Sequence, residues 1–202
     1  MVYYPSPAFA PPPMKLLLAC LYLLLPLSAA AQAQADEAAL WAALRDGGHV
    51  ALIRHALAPG TGDPPGFRVD DCRTQRNLSA EGRAQARALG ERFRANGIEA
   101  AAVYSSQWCR ALDTAREMAL GEVTPFAGLN SFFTGRGDEA QHTRATRALI
   151  AEHVGTGRTL VLVSHQVNIT ALSGVFPASG EIIVMRADAD PLTPVGRISP
   201  PR

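Results

Sequence analysis

Residues 159–165 read Thr-Leu-Val-Leu-Val-Ser-His. The apolar run Leu160-Val161-Leu162-Val163 is too short for a helix and has no polar face, which predicts a strand buried on both sides, as in a parallel sheet. Working outward, Val50-Ala51-Leu52-Ile53 repeats the pattern and empties into Arg54-His55. A third run, Ala101-Ala102-Val103-Tyr104, empties into Ser105-Ser106. Helical patterns lie between these strands. Residues 36–46 read as a short helix closed by Gly47-Gly48, and Ser79 caps a helix reaching Ala95 before Asn96-Gly97. Ser106 is expected to cap a third helix through Met118, and residues 138–153 and 167–172 supply two more. Short strands are expected at 123–126 and 181–186, and the proline-containing tail from Asp188 is expected to run extended over the surface. Strands alternating with helices predict a three-layer α/β/α sandwich around a mostly parallel sheet.

Such sheets bind ligands at the carboxyl ends of their strands. Here those ends would gather Arg54, His55, Arg110 and His165 on one rim. A strand-end Arg-His pair by itself reads as an ordinary ion-pairing site; the coincidence of four such groups does not. Two guanidiniums offer planar forks for a phosphate or carboxylate. A neutral imidazole beside them can act as a nucleophile. Attack on phosphorus would give a phosphohistidine that water then hydrolyses.

Composition narrows the classes further. The chain has 202 residues, 48% apolar and 18% charged, with formal net charge +1. That is enough for a full core, and near-neutrality argues against a nucleic-acid partner. The basic residues are eighteen Arg and the single Lys15. No P-loop lysine, Schiff-base lysine or lysine general base is therefore available downstream of residue 15. No serine-hydrolase Gly-x-Ser-x-Gly elbow occurs, and no His pair has metal-site spacing. His49, His142 and His153 lie outside any motif, and Arg136-Gly137-Asp138 is read as a chance tripeptide. No cofactor or metal is expected.

Residues 1–35 read as an address. Met14-Lys15 precedes the apolar run Leu16 to Leu27, then Ser28-Ala29-Ala30-Ala31-Gln32-Ala33-Gln34-Ala35. A basic start, a short apolar stretch and small residues make a secretory signal peptide, cut after Ala33 or Ala35. The run is too short for a membrane span. Met14 is the expected initiator, and the run continuing past Cys20 argues against a lipoprotein. The remaining domain, 36–202, would be lysine-free, formally neutral and periplasmic or secreted. Its two cysteines suggest a Cys72–Cys109 disulfide; two buried free thiols are the alternative.

The motifs resemble the histidine phosphatase superfamily, in its phosphoglycerate-mutase-like branch. Leu52-Ile53-Arg54-His55-Ala56 is similar to the strand followed by Arg-His-Gly, and Leu78-Ser79-Ala80-Glu81-Gly82-Arg83-Ala84-Gln85-Ala86 to the family's helix start. Ser105 to Ala115 resembles its Ser-x-x-x-x-Arg-Ala-x-x-Thr-Ala segment, and Val161-Leu162-Val163-Ser164-His165 its second histidine strand. The resemblance implies a metal-independent phosphatase or mutase with His55 as nucleophile. It makes Arg54, Arg110 and His165 the phosphate pocket, with Gln166 beside them as a substrate-binding residue. Ala56 stands where the family has Gly. Ser131 follows Leu129-Asn130 where mutase-like members carry a Glu proton donor, and Gln166 stands where acid phosphatases carry Asp. Asp63, Asp138, Glu139 and Glu181 remain candidates for the leaving-group acid. Without a strong acid, good leaving groups such as phosphohistidine would be favoured and the mutase reading disfavoured. The expected activity is that of an exported phosphomonoesterase acting on a small phosphorylated substrate, envelope sugar phosphates included. The alternatives are a catalytically weak phosphate-ligand binding protein on the same scaffold and a phosphomutase.

Overall fold

In the computed structural model, residues 1, 36–189 and 191–201 are described, so the expected signal peptide and the Met14 start lie outside the described residues. Helix α1 covers residues 36–45. It is followed by β1 His49–Arg54, α2 Ala80–Ala95, β2 Ala102–Ser105, α3 Cys109–Met118 and β3 Val123–Pro125. Then come α4 Glu139–His153, β4 Leu160–Ser164, α5 Gln166–Ser173, β5 Ile182–Arg186 and β6 Thr193–Ile198. None of the described helices is long and apolar enough to cross a membrane.

The six strands form one sheet in the order β3-β2-β4-β1-β5-β6. The pairs β2–β3, β2–β4 and β1–β4 are parallel, whereas β5 runs antiparallel to β1 and to β6. The segment after Asp188 departs from the sequence expectation. Residues 193–198 add an antiparallel edge strand to β5, with a register irregularity between Val184 and Met185. The prolines of this segment concealed the strand, yet Pro194 is tolerated there because an edge strand has one unpaired side. Pro125 sits on the opposite edge for the same reason.

The period of two in the central strands separates the layers. Ala51, Ile53, Val161 and Val163 face one core, filled by Trp41 and Leu44 of α1, Leu89 and Phe93 of α2, and Ala111, Ala115 and Met118 of α3. Val50, Leu52, Leu160 and Leu162 face the other, against Leu149 and Ile150 of α4 and Ile169 and Leu172 of α5. Helices on both faces explain why β4 is apolar from Leu160 to Val163 and buried throughout.

Close helix packing depends on two glycines of α2. A Cβ on Gly90 would overlap the Met118 carbonyl at the end of α3, and one on Gly82 would overlap the Leu57 carbonyl. The second approach places the first turn of α2 against the chain just past His55. Ser79 caps that turn by accepting from the Gly82 amide at 3.0 Å. Gly90→Ala is expected to destabilise the protein by about 1–3 kcal/mol through overpacking, since the opposing atom is fixed backbone. Urea unfolding of the variant measures this, and an unchanged midpoint would contradict the packing described.

Candidate active site

The β1–β4 pairing sets the site. Arg54 lies opposite Ser164 in register, and the His55 amide donates to the Ser164 carbonyl at 2.9 Å. The chains therefore leave the sheet together, carrying His55 and His165 with ring centroids 5.4 Å apart. Both are buried, each 3% exposed. β2 ends one strand over, where the Ser106 amide donates to Val163 at 2.9 Å. Helix α3 then delivers Arg110 from its first turn.

Ser106 does not cap α3; Trp108 occupies the N-cap position, without a side-chain cap bond. The Ser106 hydroxyl instead meets His165 Nε2 at 2.8 Å and donates to Asn130 Oδ1 at 3.3 Å. The other ring nitrogen of His165, Nδ1, faces Arg110 Nη2 at 3.5 Å. A guanidinium can only donate, so Nδ1 is the bare nitrogen and Nε2 carries the hydrogen toward Ser106. His55 has the opposite arrangement. Its Nδ1 lies 2.8 Å from the Ala56 carbonyl, which can only accept, so Nε2 keeps the lone pair.

The backbone after His55 is fixed from two sides. The Thr114 hydroxyl accepts from the Ala56 amide at 2.9 Å and donates to the Arg110 carbonyl at 2.7 Å. Gln85 Oε1 accepts from the Leu57 amide at 3.0 Å. Ala56 is fully buried and is not among the residues with positive φ, so its methyl is accommodated where relatives use glycine.

A pocket of about 380 Å³ opens over these groups. Arg54, His55, Arg110, His165 and Gln166 all line it, so the structure brings the five expected site residues together. Arg76 lines it as well. Arg76 lies outside every motif read from the sequence and was missed. The available signal was its place just before the Leu78-Ser79 helix start, which Gly82 presses against the His55 turn. Its guanidinium is held by the carbonyl of Gly62 at 2.8 Å and by that of Ala58.

Of the four candidate acids, Asp63 alone lines the pocket. Asp138 caps α4 by accepting from the Gln141 amide, and Glu139 is exposed in the first turn. Glu181 is committed to Arg197 at 2.7 and 2.8 Å and to the Ala178 amide. Asp63 takes both Nη atoms of Arg110, at 2.6 and 3.3 Å, and accepts from Trp108 Nε1 at 3.0 Å. Both side chains of this pair are 4% exposed. Ser131 lines the pocket where mutase-like relatives would place a Glu.

The loop carrying Asp63 is well fastened. A Cys72–Cys109 disulfide ties its far end to the first residue of α3. The sequence separation of 37 residues makes it worth roughly 3–4 kcal/mol in a chain-entropy view. Beside it, Gln75 Oε1 accepts from the Cys109 amide at 2.9 Å, and its Nε2 donates to the carbonyls of Arg68 and Val69.

The electrostatics favour an anion. Burial lowers the His55 pKa to about 3, with further contributions from Arg110, Arg76 and Arg54. Burial and the same charges, with His55, take His165 well below its usual value. Both rings are therefore neutral at neutral pH. Burial and neighbouring guanidiniums also lower Arg54 and Arg110, and lower Arg76 to about 10. Burial pushes Asp63 up, but its bonds to Arg110, Trp108 and the Arg76 amide outweigh this and hold it below the usual carboxylate range. With Arg136, four guanidiniums line the pocket against the one carboxylate of Asp63. The excess of positive charge suits a phosphoryl group, and a neutral imidazole stands beside it with a free lone pair.

Comparisons with known proteins agree with this geometry. Residues 50–146 match the histidine phosphatase superfamily (branch 1). A comparison with curated proteins finds no match. Among solved structures, the protein histidine phosphatase SixA complexed with tungstate aligns with TM-score 0.56 at 19% identity, over 75% of this chain and 97% of that one. A phosphoserine phosphatase from Entamoeba histolytica, in complex with phosphoserine, aligns with TM-score 0.54 at 17% identity, over 74% and 95%. A mycobacterial glucosyl-3-phosphoglycerate phosphatase in complex with VO3 aligns with TM-score 0.50 at 18% identity, over 68% and 92%. At such identities the structural likeness is one of fold; by the sequence match, residues 50–146 of the chain belong to the histidine phosphatase superfamily (branch 1).

Proposed function

We propose that this metal-independent phosphatase acts outside the cytoplasm on a small phosphomonoester, or on phosphohistidine, through a phosphohistidine formed on His55. The observation that carries the reading is the state of His55. Its ring is neutral, its Nδ1 hydrogen is committed to the Ala56 carbonyl, and its Nε2 lone pair is left for phosphorus. In the first step Nε2 attacks and the ester oxygen leaves. In the second, water attacks the phosphoryl group and His55 is regenerated. Arg54, Arg76 and Arg110 carry negative charge on the phosphoryl oxygens in both steps, and in a buried pocket their effect is larger than in water. His165 donates through Nε2 to Ser106 and presents Nδ1 beside Arg110, which fixes that guanidinium edge.

Three of the solved neighbours are phosphatases with tungstate, phosphoserine or VO3 bound, which supports an oxyanion-sized site. Export rests on the signal-peptide pattern of residues 14–35 and agrees with the Cys72–Cys109 bridge. Envelope sugar phosphates are the substrate class that such a location suggests.

The first test is hydrolysis of p-nitrophenyl phosphate. The wild type is expected to turn it over, and His55→Ala is expected to lower kcat/KM at least about 10³-fold. A rapid alkaline quench should trap phosphate on a peptide containing His55. If His55→Ala leaves turnover unchanged, or the wild type binds phosphate without any turnover, the enzyme reading fails in favour of a phosphate-binding role.

The second test is stability against pH. His55 and His165 have lowered folded-state pKa values against about 6.5 unfolded, so the unfolded chain binds more protons below that value. The stability due to keeping each ring neutral is full above pH 6.5 and is lost progressively as pH falls toward the folded value. Each contributes a slope of up to about 1.4 kcal/mol per pH unit in that window. Asp63 does not interfere, because its own window lies below about 3.9. Urea unfolding at pH 7, 6 and 5 should show falling stability, with a shallower slope in His55→Ala. A flat profile would show that the imidazoles are not held neutral.

A further inference from the structure

We propose that Asp63 is the catalytic acid and base of the reaction, protonating the leaving group in the first step and taking a proton from water in the second. This rests on the phosphatase reading above and adds the group that the family-like positions lack, since Ser131 and Gln166 stand where relatives place a carboxylate.

Three observations carry it. Asp63 is the one carboxylate among the described residues lining the pocket that also holds His55. It sits on Arg110, whose fork matches a phosphoryl group as well as it matches a carboxylate. Substrate and Asp63 therefore meet at the same guanidinium, with a phosphoryl oxygen beside the carboxylate. Spare donors for that arrangement exist: Arg110 Nε and Arg54 Nε are buried with no hydrogen-bond partner. Asp63 also has anchors independent of Arg110, namely Trp108 Nε1 at 3.0 Å and the Arg76 amide at 3.3 Å. It stays in the pocket when Arg110 turns to the phosphoryl group. Trp108 is itself stacked on Phe67 at 4.9 Å, and the disulfide lies next to it in sequence.

The protons balance. The ester arrives as its monoanion, ROPO3H⁻. As its phosphoryl group takes over Arg110, the carboxylate, its side chain only 4% exposed, loses its counter-ion, finds itself beside an anion, and takes the proton from the phosphoryl oxygen. His55 Nε2 then forms the N–P bond while the P–O bond to the leaving group breaks. The leaving oxygen takes the Asp63 proton and departs as ROH. Water next forms a P–O bond, its proton passes to the Asp63 carboxylate, and the N–P bond breaks to return the lone pair to His55. Inorganic phosphate recovers the proton from Asp63 and leaves as H2PO4⁻, and Asp63 returns to Arg110. The sum is ROPO3H⁻ and water giving ROH and H2PO4⁻.

The experiment compares esters whose leaving groups differ in their need for a proton. Wild type is assayed on p-nitrophenyl phosphate, phenyl phosphate and glycerol 2-phosphate, then Asp63→Asn on the same three. With Asp63 as acid, wild-type kcat/KM depends weakly on leaving-group pKa. Asp63→Asn loses at least about 100-fold on glycerol 2-phosphate and less than about 10-fold on p-nitrophenyl phosphate. Equal losses on all three esters would overturn the proposal, making Asp63 a positioning residue for Arg110. An undiminished rate on glycerol 2-phosphate would overturn it too. The wild-type series decides even if the variant fails to fold, since a steep dependence on leaving-group pKa means that no acid acts. Inactivity of the wild type on every ester overturns the phosphomonoester reading on which the proposal rests, an outcome distinct from equal losses in an active enzyme.

Discussion

β1 and β4 are hydrogen-bonded side by side with Arg54 opposite Ser164, and every functional group in the pocket is placed relative to that seam. Because side chains alternate across a strand, a slip of one residue would exchange Leu52 and Ile53 between the two cores and carry the rim residues with them. The two apolar faces forbid such a slip: Ala51 and Ile53 belong to the core under α2 and α3, Val50 and Leu52 to the core under α4 and α5. Burial of plain hydrocarbon thus fixes the relation of two imidazoles. The central position of both strands matters as well, since neighbours on each side hold the seam and leave the proline-bearing edges to β3 and β6.

The pocket then concentrates like charge around largely buried side chains, and the identity of the cations answers that problem. Guanidinium is weakly hydrated, keeps its proton when buried and can share its donors among several acceptors. Arg54 donates to the Pro177 carbonyl at 2.9 Å, Arg76 to the Gly62 and Ala58 carbonyls, and Arg110 to Asp63. A lysine so buried would shed its proton far more readily. The absence of lysine after residue 15 fits a site in which every cation must survive burial. The carbonyl ligands come from loops, so loop packing is part of the electrostatics. Gln75, the disulfide and the Trp108–Phe67 stack hold the loop that supplies Asp63 and Arg76.

Legibility in the sequence followed the range of the interactions. The sheet, the helices of both layers and the convergence of Arg54, His55, Arg110 and His165 follow from apolar periodicity and strand order, which are written locally. The Cys72–Cys109 bridge was foreseeable from two cysteines in a chain expected to be exported. Arg76 was hidden because its arrival depends on Gly82 letting α2 touch the Leu57 carbonyl, a contact across 25 residues that no window of sequence shows. Ser106 has the composition of a helix cap and was read as one; its hydroxyl goes to His165, 59 residues away, because tertiary pairing outweighs a local cap. β6 was masked by prolines whose cost disappears on an edge. Three of the four candidate acids look alike in sequence, and only packing shows Asp138 and Glu181 occupied elsewhere with Glu139 facing solvent.

Placing the acid on a loop beside Arg110, rather than after Asn130, couples two events that a fixed carboxylate would keep apart. Paired with Arg110, Asp63 neutralises part of the arginine cluster. Substrate must displace that contact, and in doing so it changes the carboxylate from counter-ion to acid. The Asn130 side chain is engaged differently: it accepts from Ser106 and the Gln107 amide and thereby supports His165. An acid available at Asp63 also removes the restriction to good leaving groups that its absence from the usual positions implied. Alkyl phosphates, sugar phosphates among them, become chemically admissible substrates, and selection among them falls to the rim, where Phe133, Phe176 and Arg136 border the pocket.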